Sequence, residues 1–251
     1  MAKLIILGSS NAVASPNHEN THMALVGSNQ TVLIDSPGNP LVRLKMHGLP
    51  IEQISDLILT HFHPDHVAGV PLLLMDLWLL GRQSRLVIHG LDHTLDKIEQ
   101  VMDLYNWEDW PGFYPISFHR LPEQEMAPVV DQGEFQVYAS PVHHLIPTIA
   151  LRVEFPKLRK AMAYSCDTEP CQEVVRLAGG ADVLIHEAAG VAKGHSSAQQ
   201  AGQVAQKAEV NSLYLIHYPT WEIDSQPFIS EAQVTFGGKV TLAEDLMEIE
   251  F

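Results

Sequence analysis

Cysteine is nearly absent from this chain of 251 residues: there are two, Cys166 and Cys171, so no disulfide framework organises the fold. That scarcity fits a reducing compartment, and the expectation is a cytoplasmic protein. Cations are scarce as well. Fifteen Lys and Arg face 30 Asp and Glu, for a formal net charge of −15. Such a surface repels polyanions, which excludes non-specific binding to nucleic acid or membranes unless a local positive feature overcomes the repulsion. Long apolar runs are missing too. Val70 to Leu80 (VPLLLMDLWLL) is broken by Asp76 and covers about half of the ~20 residues a bilayer crossing needs, so it predicts a buried helix. Near the start only Leu4 to Leu7 are continuously apolar, short of the roughly 7 to 15 of a secretory signal. Repeats, low-complexity tracts, charge blocks and linkers are absent, and residues 1–251 read as one domain.

Histidine is what the chain has in quantity: 14, nearly as many as its permanent cations. The apolar pattern gives short strands first (KLIILG, HMALVGS, TVLID) and then alternating strands and helices. Both halves mix the two, which predicts an α/β protein with two mixed sheets enclosed by outer helices. Asn106 to Pro115 (NWEDWPGFYP) reads as an aromatic loop or lid. Six apolar strands end in a metal-competent or ionisable residue: Asp35, His61, the pair His143 and His144, Asp167, His186 and His217. Sites collect at the carboxyl ends of strands, so these side chains are expected at one edge.

The densest cluster is THFHPDH, with His61, His63, Asp65 and His66. In extended backbone His61 and His63 point to the same side, and Asp65 and His66 follow where the next helix starts. Imidazole and carboxylate suit zinc, with manganese or iron also compatible. Four donors so close together exceed what one tetrahedral ion takes, so the spacing implies two adjacent Zn²⁺ ions. Asp167 is the expected bridge, His144 completing the first ion and His217 the second. Asp35 is expected one layer out, bonded to a ligand or a backbone amide, and His186 either there or supporting its strand.

This set, His-x-His-x-Asp-His followed by separate His, Asp and His, resembles the metallo-β-lactamase superfamily. Within it the likeness is to ribonuclease Z and its relatives, over nearly the entire chain. LGSSNAVASPNHENTHMAL is similar to that family's Gly-rich start, and HHLIPT to its His-Ser-x-Pro-Ser segment, which selects His144 over His143. YSCDTEPC, LIHEAA, KGHSSAQQAGQVA and the ending AEDLMEIEF match further segments, with Cys166 in place of the usual Gly and Ala189 in place of the usual Thr. The resemblance implies an αβ/βα four-layer sandwich and a homodimer. It also implies a long arm that grips tRNA, yet only 22 residues separate His144 from Asp167, enough for two strands and a turn.

The expected chemistry is hydrolysis of a phosphodiester by metal-bound hydroxide, since paired zinc lowers the pKa of a bridging water towards neutrality. Asp65 would orient that water and accept its proton, a role the motif resemblance also implies. His195 would protonate the leaving oxygen, with Glu187 tuning it. The substrate is expected to be a small phosphodiester or an RNA 3′ end, with the tRNA grip missing. Two alternatives use the same scaffold. One is a metal-dependent hydrolase of a lactone, thioester or β-lactam; the other, a di-iron redox protein, lacks both a flavin domain and the usual Glu in His-x-His. Two Zn²⁺ would shift the formal charge from −15 to −11, a local +4 that supplies the positive feature an anionic substrate requires.

Overall fold

In the computed structural model, which describes residues 2–251, two seven-stranded sheets pack face to face. The first holds β1 (Lys3–Gly8), β2 (His22–Val26), β3 (Thr31–Ile34), β4 (Ile54–Ile58), β5 (Leu86–Leu91), β6 (Ile116–Leu121) and β14 (Glu248–Glu250), in the order β14-β1-β2-β3-β4-β5-β6. The second holds β7 (Ala127–Gln132), β8 (Phe135–Val142), β9 (Thr148–Phe155), β10 (Lys160–Tyr164), β11 (Val183–Glu187), β12 (Ser212–Ile216) and β13 (Lys239–Leu242), in the order β13-β12-β11-β10-β9-β8-β7. Each sheet is antiparallel on one side and parallel on the other: β3 to β6 run parallel in the first, β10 to β13 in the second.

The strands that read as continuous apolar runs are buried on both faces. In β1, Leu4 and Ile6 enter the core between the sheets, while Ile5 and Leu7 enter the core beneath the helices α1 (Pro40–Met46), α3 (Val70–Leu79) and α4 (Asp92–Leu104). In β11, Ile185 faces the first of these cores and Leu184 faces α5 (Gln172–Leu177) and α6 (Ala198–Lys207). With α7 (Pro227–Gln233) outside the second sheet, the layers are helix, sheet, sheet, helix, the αβ/βα sandwich expected. Parallel strands joined by helical crossovers send their carboxyl ends to one edge, and the loops after β3, β4, β10, β11 and β12 leave from there.

The helix expected from His66 is two pieces, α2 (Pro64–Val67) and α3, divided at Gly69. A Cβ on Gly69 would lie 2.0 Å from the Gly38 carbonyl oxygen, so only glycine lets these two loops meet. Contrary to expectation α3 is not wholly buried. Val70, Leu73, Leu74 and Leu77 face the core, but Leu72 and Leu79 are 43% and 64% exposed. The lid reading of 106–115 is overturned as well. That segment joins the end of α4 to the start of β6, and Leu86 N–H at the head of β5 donates to the Pro115 carbonyl at 3.0 Å. It therefore lies at the edge opposite the strands' carboxyl ends. Its rings pack on the protein itself: Trp110 stacks on Trp78 at 5.0 Å, Trp107 meets Phe118 edge-on, and Tyr114 is buried.

Candidate metal centre

Backbone geometry is unusual at three strand ends within or beside the predicted donor set. Asp35 after β3 (φ 62°), Cys166 after β10 (φ 52°) and His217 after β12 (φ 53°) are all left-handed, a conformation costing non-glycine residues of order 1–3 kcal/mol. The turns swing the side chains inwards instead of continuing the strand alternation. His217 is fixed there by its own N–H, which donates to the Ser9 carbonyl at 2.9 Å. Ser9 in turn donates through N–H and Oγ to Asp245, at 2.9 and 2.7 Å.

The structure brings together all seven side chains proposed to hold metal, in two adjoining sets. His61, His63 and His144 form one, with His61 Nε2 and His144 Nε2 each 3.1 Å from His63 Nδ1. Asp65, His66, Asp167 and His217 form the other. Within it Asp167 Oδ2 lies 3.2 Å from His217 Nε2 and 3.6 Å from His66 Nε2. The same oxygen is 3.9 Å from His61 Nε2 and 4.0 Å from His144 Nε2, so Asp167 stands between the sets. Asp65 Oδ2 is 3.6 Å from His66 and 3.9 Å from His217.

Three observations make this a cradle for divalent cations. Buried His66 Nε2, turned into the cluster, and buried Asp167 Oδ1 have no hydrogen-bond partner; an orphaned buried polar atom is costly without a ligand. Burial and neighbouring imidazoles hold His61 well below the ordinary histidine value, burial lowers His63 and His144, and burial brings His217 to about 4, so four imidazoles are neutral donors. Burial also pushes against the Asp167 anion, but the imidazoles of His217 and His66 keep its carboxyl well below the usual range. His66 differs. Burial lowers it, but Asp167 and Asp35 outweigh burial and raise it well above the ordinary value, marking a position where positive charge is favoured.

A second ring of hydrogen bonds sets the donors' orientation. Asp35 lies behind His66, whose Nδ1–H donates to its Oδ2 at 2.8 Å, and the Thr60 N–H and Oγ–H complete the carboxylate at 2.8 and 2.7 Å. His144 Nδ1–H donates to the Gly194 carbonyl at 2.7 Å, leaving Nε2 for the cluster. Gly194 (φ +83°) has no substitute, because a Cβ there would meet His144 Nδ1 at 2.9 Å. His217 Nδ1 is 3.2 Å from Thr21 Oγ1. Thr60, Thr21 and Gly194 lie inside the quoted segments, but nothing in the sequence marks their part in orienting the donors. Cys166, in place of the usual Gly, is buried with Sγ 3.6 Å from His61 Nδ1.

His195 sits beside the cluster, 4.9 Å ring to ring from His144 and stacked over His217 at 6.0 Å. Its Nδ1 is 3.1 Å from Glu187 Oε1. That hydrogen bond raises the imidazole above its ordinary value. Glu187 is fully buried, and burial pushes it to about 7, although the Thr168, Ser196 and Ala189 N–H groups also donate to it. His186 is not part of the donor sets. It alternates with Ile185 on β11 and shares the helix-covered face of Leu184, with Nδ1–H on the Glu187 carbonyl at 2.8 Å. His143 turns outward, its side chain 65% exposed.

Residues 30–218 match the family model described as a beta-lactamase superfamily domain. Ribonuclease Z of Methanothermobacter thermautotrophicus is 26% identical over an alignment of 306 positions spanning 100% of this chain and 97% of that protein. Among solved structures, the metallo-beta-lactamase fold protein YhfI from Bacillus subtilis superposes with TM-score 0.82 at 21% identity, covering 100% of this chain and 99% of the other. Human tRNase Z, short form, gives TM-score 0.78 at 25% identity, with 99% and 98% covered. An alignment of 306 positions against 251 residues leaves at least 55 positions of the archaeal relative without a counterpart here.

Proposed function

Since the chain belongs to the beta-lactamase superfamily, we propose that this metal-dependent hydrolase is a zinc phosphodiesterase of the ribonuclease Z type, acting on an RNA 3′ end or a smaller phosphodiester. The observation that carries this reading is the pairing of two donor sets across one carboxylate with a protonatable His195–Glu187 pair at their margin. His61, His63 and His144 would hold one ion, Asp65, His66 and His217 the other, and Asp167 both. Bound divalent ions would supply an acidified water and positive charge for the phosphoryl oxygens.

The chain's own groups account for the proton traffic. Asp65, its side chain 15% exposed, keeps a carboxylate at the open side of its set and takes the proton of the attacking water. His195, raised above its ordinary value by the Glu187 hydrogen bond, donates from Nε2 to the departing alkoxide oxygen. Glu187 is a positioning residue: its four hydrogen bonds fix the carboxylate, which fixes the imidazole.

Six of the fifteen cations, Arg43, Arg120, Arg152, Arg176, Lys3 and Lys160, are already engaged in salt bridges with the chain's own carboxylates. β9 and β10 fill the interval between His144 and Asp167 with a tight hairpin. The test is turnover by zinc-reconstituted protein of bis(p-nitrophenyl) phosphate, small linear and cyclic diesters, and a precursor tRNA, beside lactone, thioester and β-lactam substrates. Phosphodiesters should be preferred, small ones most; faster turnover of the acyl substrates overturns the reading.

A further inference from the structure

The loops that carry His144 and Asp167 turn a different set of side chains away from the cluster. His143 follows β8, Cys171 caps α5, and Glu173 lies in the first turn of that helix. One donor atom from each, an imidazole nitrogen, the thiol sulfur and a carboxylate oxygen, lies within 4.8 Å of the others. His143 Nε2 is 3.7 Å from Glu173 Oε2, while Glu173 Oε1 accepts from Arg176 at 2.9 Å, so the carboxylate gives one oxygen to its own helix and turns the other to His143. Cys171 Sγ is nearly buried and 3.7 Å from Thr168 Oγ1. Together with Pro170, Val204 and Lys207 these residues line an open cleft of about 340 Å³, with the thiol at its base and the imidazole at its mouth.

We propose that His143, Cys171 and Glu173 form a separate single-ion site for zinc or a similar borderline divalent cation, with a remaining coordination position open to water. Sulfur, nitrogen and oxygen donors suit such an ion better than Mg²⁺ or Ca²⁺, which take oxygen alone. Only one of the three donors is a carboxylate, so the grouping is more than a patch of surface acid. Cys171 has no disulfide to make, since Cys166, also a free thiol, lies against His61. Binding replaces the thiol proton: Sγ–H loses H⁺ to solvent and the sulfur lone pair forms the bond to the cation, with no change of oxidation state. Burial pushes the thiol up, so this proton stays in place until the cation arrives. Occupancy would tie the loop after β8 to the start of α5, and hence His144 to the loop of Asp167, from outside the cluster.

Cobalt(II) titration of the full-length protein distinguishes this site from the clustered donors, because a thiolate ligand gives a near-ultraviolet charge-transfer band that imidazole and carboxylate do not. The band is expected in the wild type and in Cys166→Ala, absent in Cys171→Ser, and displaced by zinc. His143→Ala, a change at an exposed side chain that leaves packing intact, should weaken cobalt binding at this band about tenfold or more. No band in the wild type, a band that persists in Cys171→Ser or vanishes in Cys166→Ala, or unchanged affinity in His143→Ala overturns the proposal. Should Cys171→Ser fail to give the wild-type circular dichroism spectrum, the His143→Ala affinity decides.

Discussion

His195 and Asp35 touch opposite sides of the donor cluster, and their removal should separate chemistry from metal holding. His195→Ala keeps every proposed ligand, so turnover is expected to fall by about 10²- to 10⁴-fold with metal content, measured by elemental analysis, unchanged. Equal loss of both would make His195 a support for metal binding instead. Asp35→Ala frees His66 Nδ1 and the Thr60 donors. It should lower metal affinity about 10- to 100-fold, seen in a chelator competition. The Glu187 hydrogen bond raises His195, and the acid must be protonated to act, so the rate should fall as pH rises through that raised value. In Glu187→Gln the imidazole loses its anionic partner, and the alkaline limb of the kcat profile should move to lower pH. An unmoved limb would show that some other group titrates there.

At the scale of elements, β4, β5 and β6 carry a polar seam unrelated to the cluster. Asp56 on β4 accepts from His89 Nε2–H on β5 at 2.7 Å, and His89 Nδ1 is 2.9 Å from His119 Nδ1 on β6. Burial acts to raise the Asp56 carboxyl, but His89, Ser55 and Gln30 together outweigh it and hold the group below its ordinary value. A carboxyl depressed in the folded state stabilises above its unfolded pKa, and that contribution is lost as pH falls through the folded value. Asp56→Asn should therefore cost about 1–3 kcal/mol at neutral pH. The gap should narrow in urea unfolding below about pH 4. Elements like these differ in how far the sequence discloses them. β1, β3 and β11 are legible because they are apolar on both faces. β7 (APVVDQ) is less so, since Pro128 breaks the run and is tolerated at a sheet edge, and β6 (ISFHRL) hides because the exposed His119 and Arg120 interrupt its apolar run. Among the seven clustered donors, His61, His63, Asp65 and His66 are legible from their spacing and Asp167 and His217 from strand-end position, while the choice of His144 over His143 needs the family resemblance. Thr21, Thr60 and Gly194 are not legible, because they act through a hydroxyl or a carbonyl brought close only by the packed sheets.

The whole molecule repeats one arrangement: each sheet has a parallel half that delivers loops to the shared edge and an antiparallel half that closes the sandwich. Donors come from both sheets, His61, His63, Asp65 and His66 from the first, and His144, Asp167 and His217 from the second. The centre therefore exists only when the sheets are docked, and metal should raise the midpoint of global unfolding, since the unfolded chain lacks the paired sets. Outside that edge, 30 Asp and Glu against 15 Lys and Arg leave the exterior with a surplus of carboxylates. An anionic diester must cross this repelling field before it reaches the centre, and added salt shortens the field's range to about 10 Å at 0.1 M. Proteins that grasp a phosphate backbone lose binding as ionic strength rises. Here kcat/KM for a small diester should instead climb with added potassium chloride, making ionic strength an activator of capture.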